Sequence, residues 1–224
     1  IKDNLSNEFK QNCLEMKKGV NYNCHKLGGV TAFALTGIYT YQNGILDTYS
    51  CHVEIIPLKF SYQSYIIPLF LLFIFSYYSS TLPDIDHPIS RLGKKYPHIS
   101  QYMNTQFGHR GVTHYPITLL GLGCILYLIG QIMIQPYRIL WMWGSIGFVV
   151  GYASHILLDT LNSSGIVWLM PFSKVRVKIP TGIRIKNKKG KKRVCWRYLE
   201  GNRTHDKMII IVICCLLIFL LTKG

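Results

Sequence analysis

Apolar residues in this chain come in long runs separated by polar stretches. Five runs stand out, at 27–42, 62–82, 115–134, 139–161 and 208–222. A helix that crosses a membrane needs about 20 mostly apolar residues, and the second, third and fourth runs meet that length. The first and last are shorter. The cores of the second and fifth runs, 66–78 and 209–221, carry no charge and no polar stripe, unlike an amphipathic helix laid against a soluble core. The pattern predicts an all-α polytopic membrane protein with about five transmembrane helices. It divides the chain into a cytoplasmic N-terminal segment (1–26), a four-helix membrane core (27–161), a basic cytoplasmic loop (162–207) and a C-terminal transmembrane helix (208–224).

Charge fixes an orientation for this arrangement. If each run crosses once, residues 1–26, 83–114 and 162–207 share one side. That side carries all of the 25 Lys and Arg except Lys59, Arg138 and Lys223. The positive-inside rule makes it cytoplasmic, in a cell or inner membrane. The net charge of +15 is thus mainly a matter of topology. Residues 1–15 are polar and lack the apolar core of a signal peptide. Met16-Lys17-Lys18 reads as a natural start, with the preceding residues as an upstream extension. The seven cysteines form no C-x-x-C array and no disulfide framework.

Within the basic loop the period changes. Lys174-Val175-Arg176-Val177-Lys178-Ile179 and Ile183-Arg184-Ile185-Lys186 alternate basic and branched apolar residues, which argues for strands. Residues 187–192 read as the turn into a further strand through Val194, Trp196 and Tyr198. The expectation is a small basic β-hairpin on the cytoplasmic face. Its charge holds the loop inside, and it also suits anionic lipid headgroups, where each Lys or Arg contributes about 1 kcal/mol. Nucleic acid is an unlikely partner, because no recognition helix or aromatic platform accompanies the charge.

The remaining polar residues carry the chemistry. In the predicted topology His25 opens the first helix, and Asp84 and Asp86 lie at the exit of the second. His109 and His114 precede the third, while His155 and Asp159 close the fourth. All seven fall at the cytoplasmic ends of their helices. Ionisable groups at membrane helices are costly without partners and point to function. His155 and Asp159 are four apart and share a helix face. Asp84 and Asp86 are two apart and would point the same way from an extended segment. His109 and His114 are five apart, with Gly108 and Gly111 allowing a bend. Mixed imidazole and carboxylate donors suit zinc, manganese or iron better than calcium. Seven donors exceed one tetrahedral ion, so one to three ions are expected, two held about 3.5–4 Å apart making fuller use of them. Arg110 stands among these residues, either to hold a phosphate or to pair with Asp84 or Asp86.

Three tracts carry a family resemblance: Leu82-Pro-Asp-Ile-Asp-His-Pro88, Gly108-His-Arg-Gly-Val-Thr-His114 and Gly151-Tyr-Ala-Ser-His-Ile-Leu-Leu-Asp159. With Pro171-Phe-Ser-Lys174, they make the chain resemble, from about His25 to Lys186, the YdjM-like family of membrane-bound metal-dependent hydrolases. More remotely it is similar to the helical zinc-dependent phospholipase C and P1 nuclease group. The resemblance implies a hydrolase with His and Asp as metal ligands, and its remoter part implies a phosphoester substrate such as that of a lipid. In that mechanism Asp86 takes a proton from the attacking water and Arg110 stabilises the phosphoryl oxygens. The family's acidic residue after the basic strands has no counterpart here, where Thr181-Gly182 precedes lysines. A divalent-cation transporter would use the same residues, although transport sites lie near the bilayer midplane. A non-catalytic membrane anchor with a structural metal is the third possibility.

Overall fold

The computed structural model describes residues 22–49, 51–55, 60–108, 110–188 and 191–197; within 51–55, 60–64, 182–188 and 191–197 the description is of the backbone alone. His109, the N-terminal segment before Tyr22 and the expected C-terminal membrane helix lie outside the described residues.

Four long helices form the body: α1 (Tyr22–Gln42), α3 (Ile66–Ser79), α6 (Pro116–Ile132) and α7 (Tyr137–Thr160). Between α1 and α3 the outer loop holds a one-turn helix, α2 (Ile45–Thr48), and a hairpin of β1 (Cys51–Ile55) and β2 (Phe60–Ser64). After α3 the chain tightens into a 3-10 turn, Leu82–Asp86. Two surface helices follow, α4 (Arg91–Lys95) and α5 (Pro97–Phe107). Ser90 caps α4 by accepting the N–H of Gly93 at 2.8 Å, satisfying a donor that the first helical turn leaves open. Gly108 ends α5 at φ 72°, a left-handed value suited to glycine. A second 3-10 turn, Val112–His114, leads into α6, which Pro116 starts.

Among the described residues two helical stretches, Ile66–Asp86 and Tyr137–Thr160, are long and apolar enough to cross a membrane, and Pro116–Ile132 is apolar but shorter; the fifth expected crossing lies outside the described residues. The first run gains four polar residues at its start, Tyr22, Asn23, His25 and Lys26, and is less apolar as a helix than as a segment.

The bundle is polar inside and apolar outside. Phe70, Phe73, Phe75, Leu120, Ile125, Leu128 and Ile132 are exposed. Ser76, Ser79, Ser80, Thr81, His25, His114, His155, Asp86 and Asp159 are buried. That inversion suits lipid, where helices associate through small and polar residues. The helices touch through such residues. Ser76 Oγ donates to the carbonyl of Gly29 at 2.7 Å, joining α3 to α1. A Cβ on Gly29 would lie 2.7 Å from the Ser76 carbonyl oxygen, and one on Gly147 would lie 2.6 Å from that of Leu72. Gly151 faces the same Ser76 carbonyl from α7 and leaves even less room. At the other end, Leu46, Leu72 and Trp143 form a closed apolar cluster.

After α7 the chain makes a short ladder of β3 (Ile166–Val167) with β4 (Arg176–Val177). It then returns to the helix end, where the Ile179 N–H donates to the Thr160 carbonyl at 2.9 Å. Within the alternating stretch 174–179, expected to be a strand, Arg176 and Val177 pair with Val167 and Ile166, just after α7. The basic hairpin itself is β5 (Gly182–Lys188) with β6 (Lys191–Arg197), antiparallel with Lys188 opposite Lys191. The register pairs Ile183 with Trp196, Ile185 with Val194 and Lys186 with Arg193.

Replacing Gly151 by Ala should destabilise the bundle by about 1–3 kcal/mol, because the new methyl meets backbone. Gly121→Ala, where a Cβ meets nothing within 4 Å, should leave stability unchanged or slightly raised. Thermal unfolding of the two variants in one detergent checks the contrast.

Candidate metal centre

Four helix ends meet at one end of the bundle. His25 comes from the first turn of α1, and His155 and Asp159 from the last turns of α7. Asp84 and Asp86 sit in the 3-10 turn after α3, and Arg110 and His114 just before α6. The structure thus brings together six of the seven expected ligands and Arg110. The seventh, His109, lies outside the described residues.

Two of the three imidazoles are oriented through the nitrogen that faces away from the centre. His155 Nδ1 lies 2.7 Å from the Ser80 carbonyl oxygen. A carbonyl only accepts, so Nδ1 carries the proton and Nε2 keeps its lone pair. His114 Nδ1 lies 3.1 Å from Asp86 Oδ2, which sets the same tautomer. The two Nε2 atoms then face each other at 3.2 Å. Two lone pairs that close, both fully buried, repel unless a proton or a metal cation lies between them. Asp159 Oδ2 stands 3.6 Å from His114 Nε2 and 3.9 Å from His155 Nε2, and Asp84 Oδ1 is 3.7 Å from His155 Nε2. Ligand atoms at the corners of a zinc tetrahedron, with bonds of about 2.0–2.1 Å, stand roughly 3.3 Å apart. The donor set therefore fits a divalent ion with small adjustments.

Two ligand triads are within reach, His114–His155–Asp159 and His25–Asp84–His155. They share His155, which has only Nε2 to offer. His25 belongs to the second of these, and its ring stacks on that of His155 at 3.7 Å between centroids and 14° between planes.

Asp84 and Asp86 do not point the same way. Pro83 fixes a helical φ at the start of the turn, and the segment coils into a 3-10 helix. At three residues per turn, positions two apart diverge by two-thirds of a turn. Asp84, 20% exposed, turns toward His155. Asp86, 1% exposed, turns away, and its Oδ2 accepts the Arg110 N–H at 3.0 Å and the Thr113 hydroxyl at 2.7 Å as well as His114 Nδ1–H. Its oxygen is engaged in holding the His114 loop, which disfavours it as a proton acceptor.

Arg110 pairs with neither Asp84 nor Asp86. Its Nη2 donates to Asp159 Oδ1 at 3.2 Å. Its Nε lies 3.0 Å from Oδ2 without the alignment of a hydrogen bond. Arg110 takes a left-handed backbone, φ 61°, uncommon for a residue with a side chain. Its N–H on Asp86 and its guanidinium on Asp159 hold it there from both sides.

A family model described as "YdjM inner membrane protein" matches residues 48–223. The chain belongs to the YdjM family. Two curated relatives are YdjM of Escherichia coli (strain K12), 36% identical over 115 residues (51% of this chain, 56% of the relative), and the uncharacterised protein YvsG of Bacillus subtilis (strain 168), 36% identical over 99 residues (44% and 56%). The chain spans about half the length of the curated relatives it matches. No solved structure matches it. With its outward-facing apolar helices, membership of the YdjM family makes this a membrane protein. The matched region contains the whole centre except His25.

Three supporting groups escaped the sequence reading. The Ser80 carbonyl holds His155, the Thr113 hydroxyl binds Asp86, and the Tyr152 hydroxyl donates to the Thr113 carbonyl. The available signals were weak: a Ser79-Ser80-Thr81 tract ending an apolar run, and a tyrosine three residues before His155 on one face of α7. Tyr152→Phe should lower the stability of this YdjM-family chain by about 1 kcal/mol. Thermal unfolding checks this, and a loss much larger would mean that the ring itself had repacked.

Proposed function

We propose that the chain is a membrane-bound, metal-dependent hydrolase of a phosphoester, acting at the cytoplasmic membrane face. The observation that carries this reading is the pair of buried imidazole lone pairs, 3.2 Å apart with Asp159 beside them. His114, His155 and Asp159 would hold one divalent ion, zinc by the chemistry of the set, which would leave a coordination position for water. A single ion uses the lone pair of His155 once, whereas the two triads cannot be filled independently.

When bound, the ion supplies Lewis acidity and a water that ionises near neutral pH. The chain's own residues do the rest. Asp86 fixes the tautomer and direction of His114, the usual service of a carboxylate behind a ligating histidine. Asp84 has the solvent contact that Asp86 lacks, so it takes the role of proton acceptor expected of Asp86. Arg110 keeps a positive charge beside Asp159 for the phosphoryl oxygens. A phosphoester substrate also agrees with the family resemblance. The positive-inside count supports five crossings with the centre on the cytoplasmic side. The basic hairpin then rests on anionic headgroups, and the chain leading into it closes on Thr160, at the same end of the bundle as the metal ligands.

Metal analysis of the chain purified in detergent should find zinc at about one ion per chain. Hydrolysis of bis(p-nitrophenyl) phosphate should depend on it. His155→Ala and Asp159→Ala should abolish both; wild-type activity in either variant would reject the mechanism. Asp86→Ala should keep the fold but weaken zinc affinity about 10–100-fold, read by competition with a chromogenic chelator.

A further inference from the structure

Besides the imidazole pair, the centre carries buried nitrogens whose hydrogen-bonding capacity is unmet. Four buried side-chain nitrogens find no hydrogen-bond partner among the described residues: His25 Nδ1, Arg110 Nε and Nη1, and Asn162 Nδ2. Asn162 and His25 are essentially inaccessible, and Arg110 is 8% exposed. His25 and Arg110 lie against the Asp159 carboxylate, and Asn162 follows it by three residues at the end of the same helix. His25 Nε2 is 3.6 Å from Oδ1, Arg110 grips the carboxylate, and the Asn162 N–H donates to the Asp159 carbonyl at 3.2 Å. Asn162 Oδ1 accepts from the Ser163 hydroxyl at 3.3 Å, which leaves the NH2 as the free end of the amide.

Guanidinium and carboxamide nitrogens donate and have no lone pair to give, so a cation cannot satisfy them. A buried donor without an acceptor costs about 1–3 kcal/mol, and Arg110 and Asn162, both at the Asp159 end of the centre, share that defect. Asp159 cannot relieve it, because its oxygens already face Arg110, His25 and the imidazole pair. What the group lacks is a compact ligand rich in acceptors and negatively charged. A tetrahedral oxyanion has that character: several acceptor oxygens, a charge to match Arg110, and a size that reaches more than one donor.

We propose that Arg110, Asn162 and His25 form an oxyanion subsite on the Asp159 side of the metal centre, and that it takes a phosphoryl group. The proposal rests on the hydrolase reading and deepens it by assigning Asn162, which the sequence did not single out, to substrate binding. The phosphoryl group can belong to a lipid headgroup or to free phosphate, and the chemistry of recognition is the same for both.

The test is phosphate binding by the full chain, followed by 31P NMR line broadening of inorganic phosphate, with and without zinc. Asn162→Asp, which replaces the donor by an acceptor of equal size, should raise the Kd for phosphate at least tenfold while zinc content and melting temperature stay at wild-type values. Should that variant not fold, Asn162→Ser carries the same expectation. Wild-type phosphate affinity in a folded Asn162 variant overturns the subsite, as does a zinc-loaded wild-type protein that binds no phosphate. Phosphate binding by a chain that takes no zinc upholds the subsite and rejects only the metal-dependent reading. A nanodisc arm separates the sources. If phosphatidate in the disc raises the apparent Kd for inorganic phosphate at least tenfold over phosphatidylcholine alone, the subsite takes a lipid headgroup; if the Kd is equal in both, it takes the free anion.

Discussion

The close crossing of α1, α3 and α7 governs the rest of the molecule. Gly29, Ser76 and Gly151 meet there with no side chain between two of the three backbones. Helices with ordinary side chains at the contact pack 8–10 Å apart, and small residues bring them closer. One turn along each helix from this crossing lies a functional group: His25 four residues before Gly29, Ser80 four after Ser76, His155 four after Gly151. The crossing therefore sets the spacing one turn below it. There the His25 and His155 rings stack and the Ser80 carbonyl reaches the His155 imidazole at 2.7 Å. A wider bundle would separate these groups beyond hydrogen-bonding range.

The polar centre is ordered from its outside inward. Backbone carbonyl, carboxylate and hydroxyl groups engage the outer nitrogens of the imidazoles, which leaves the inner nitrogens as uncompensated acceptors. Arg110 plays the complementary part on Asp159 by partly neutralising its charge. The centre thus presents acceptors toward the imidazole pair and donors toward Arg110 and Asn162. Charges of both signs survive in the interior because each is paired or hydrogen-bonded. Lipid outside the bundle would strengthen the same interactions by excluding water.

Much of this was legible in the sequence. The apolar runs placed the long helices, and the polar residues at their ends named six side chains that do gather. What the sequence could not give was direction. Asp84 and Asp86 look interchangeable in a tract of one-letter codes, but the 3-10 coil behind Pro83 sends them to different partners. Arg110 sits 49 residues from Asp159, and nothing local distinguishes that carboxylate from the two in the nearer turn. The alternation of 174–179 signalled strand correctly, yet the choice of partner was tertiary: Ile166 and Val167 wait at the end of α7. The two surface helices after Asp86 were hidden by Pro, Gly and Ser, which here start and stop helices and do not prevent them. Asn162 carries no motif at all, and only its burial makes it noticeable.

The segment after α7 leaves Thr160 and comes back to it, the Ile179 amide closing on the Thr160 carbonyl. Its two ends are pinned at one point. Lengthening or shortening the excursion between them alters only what projects from that point, and the origin of the following ribbon stays fixed. Relatives can therefore differ in the size of this excursion while the strands beyond it emerge from the same place on the molecule.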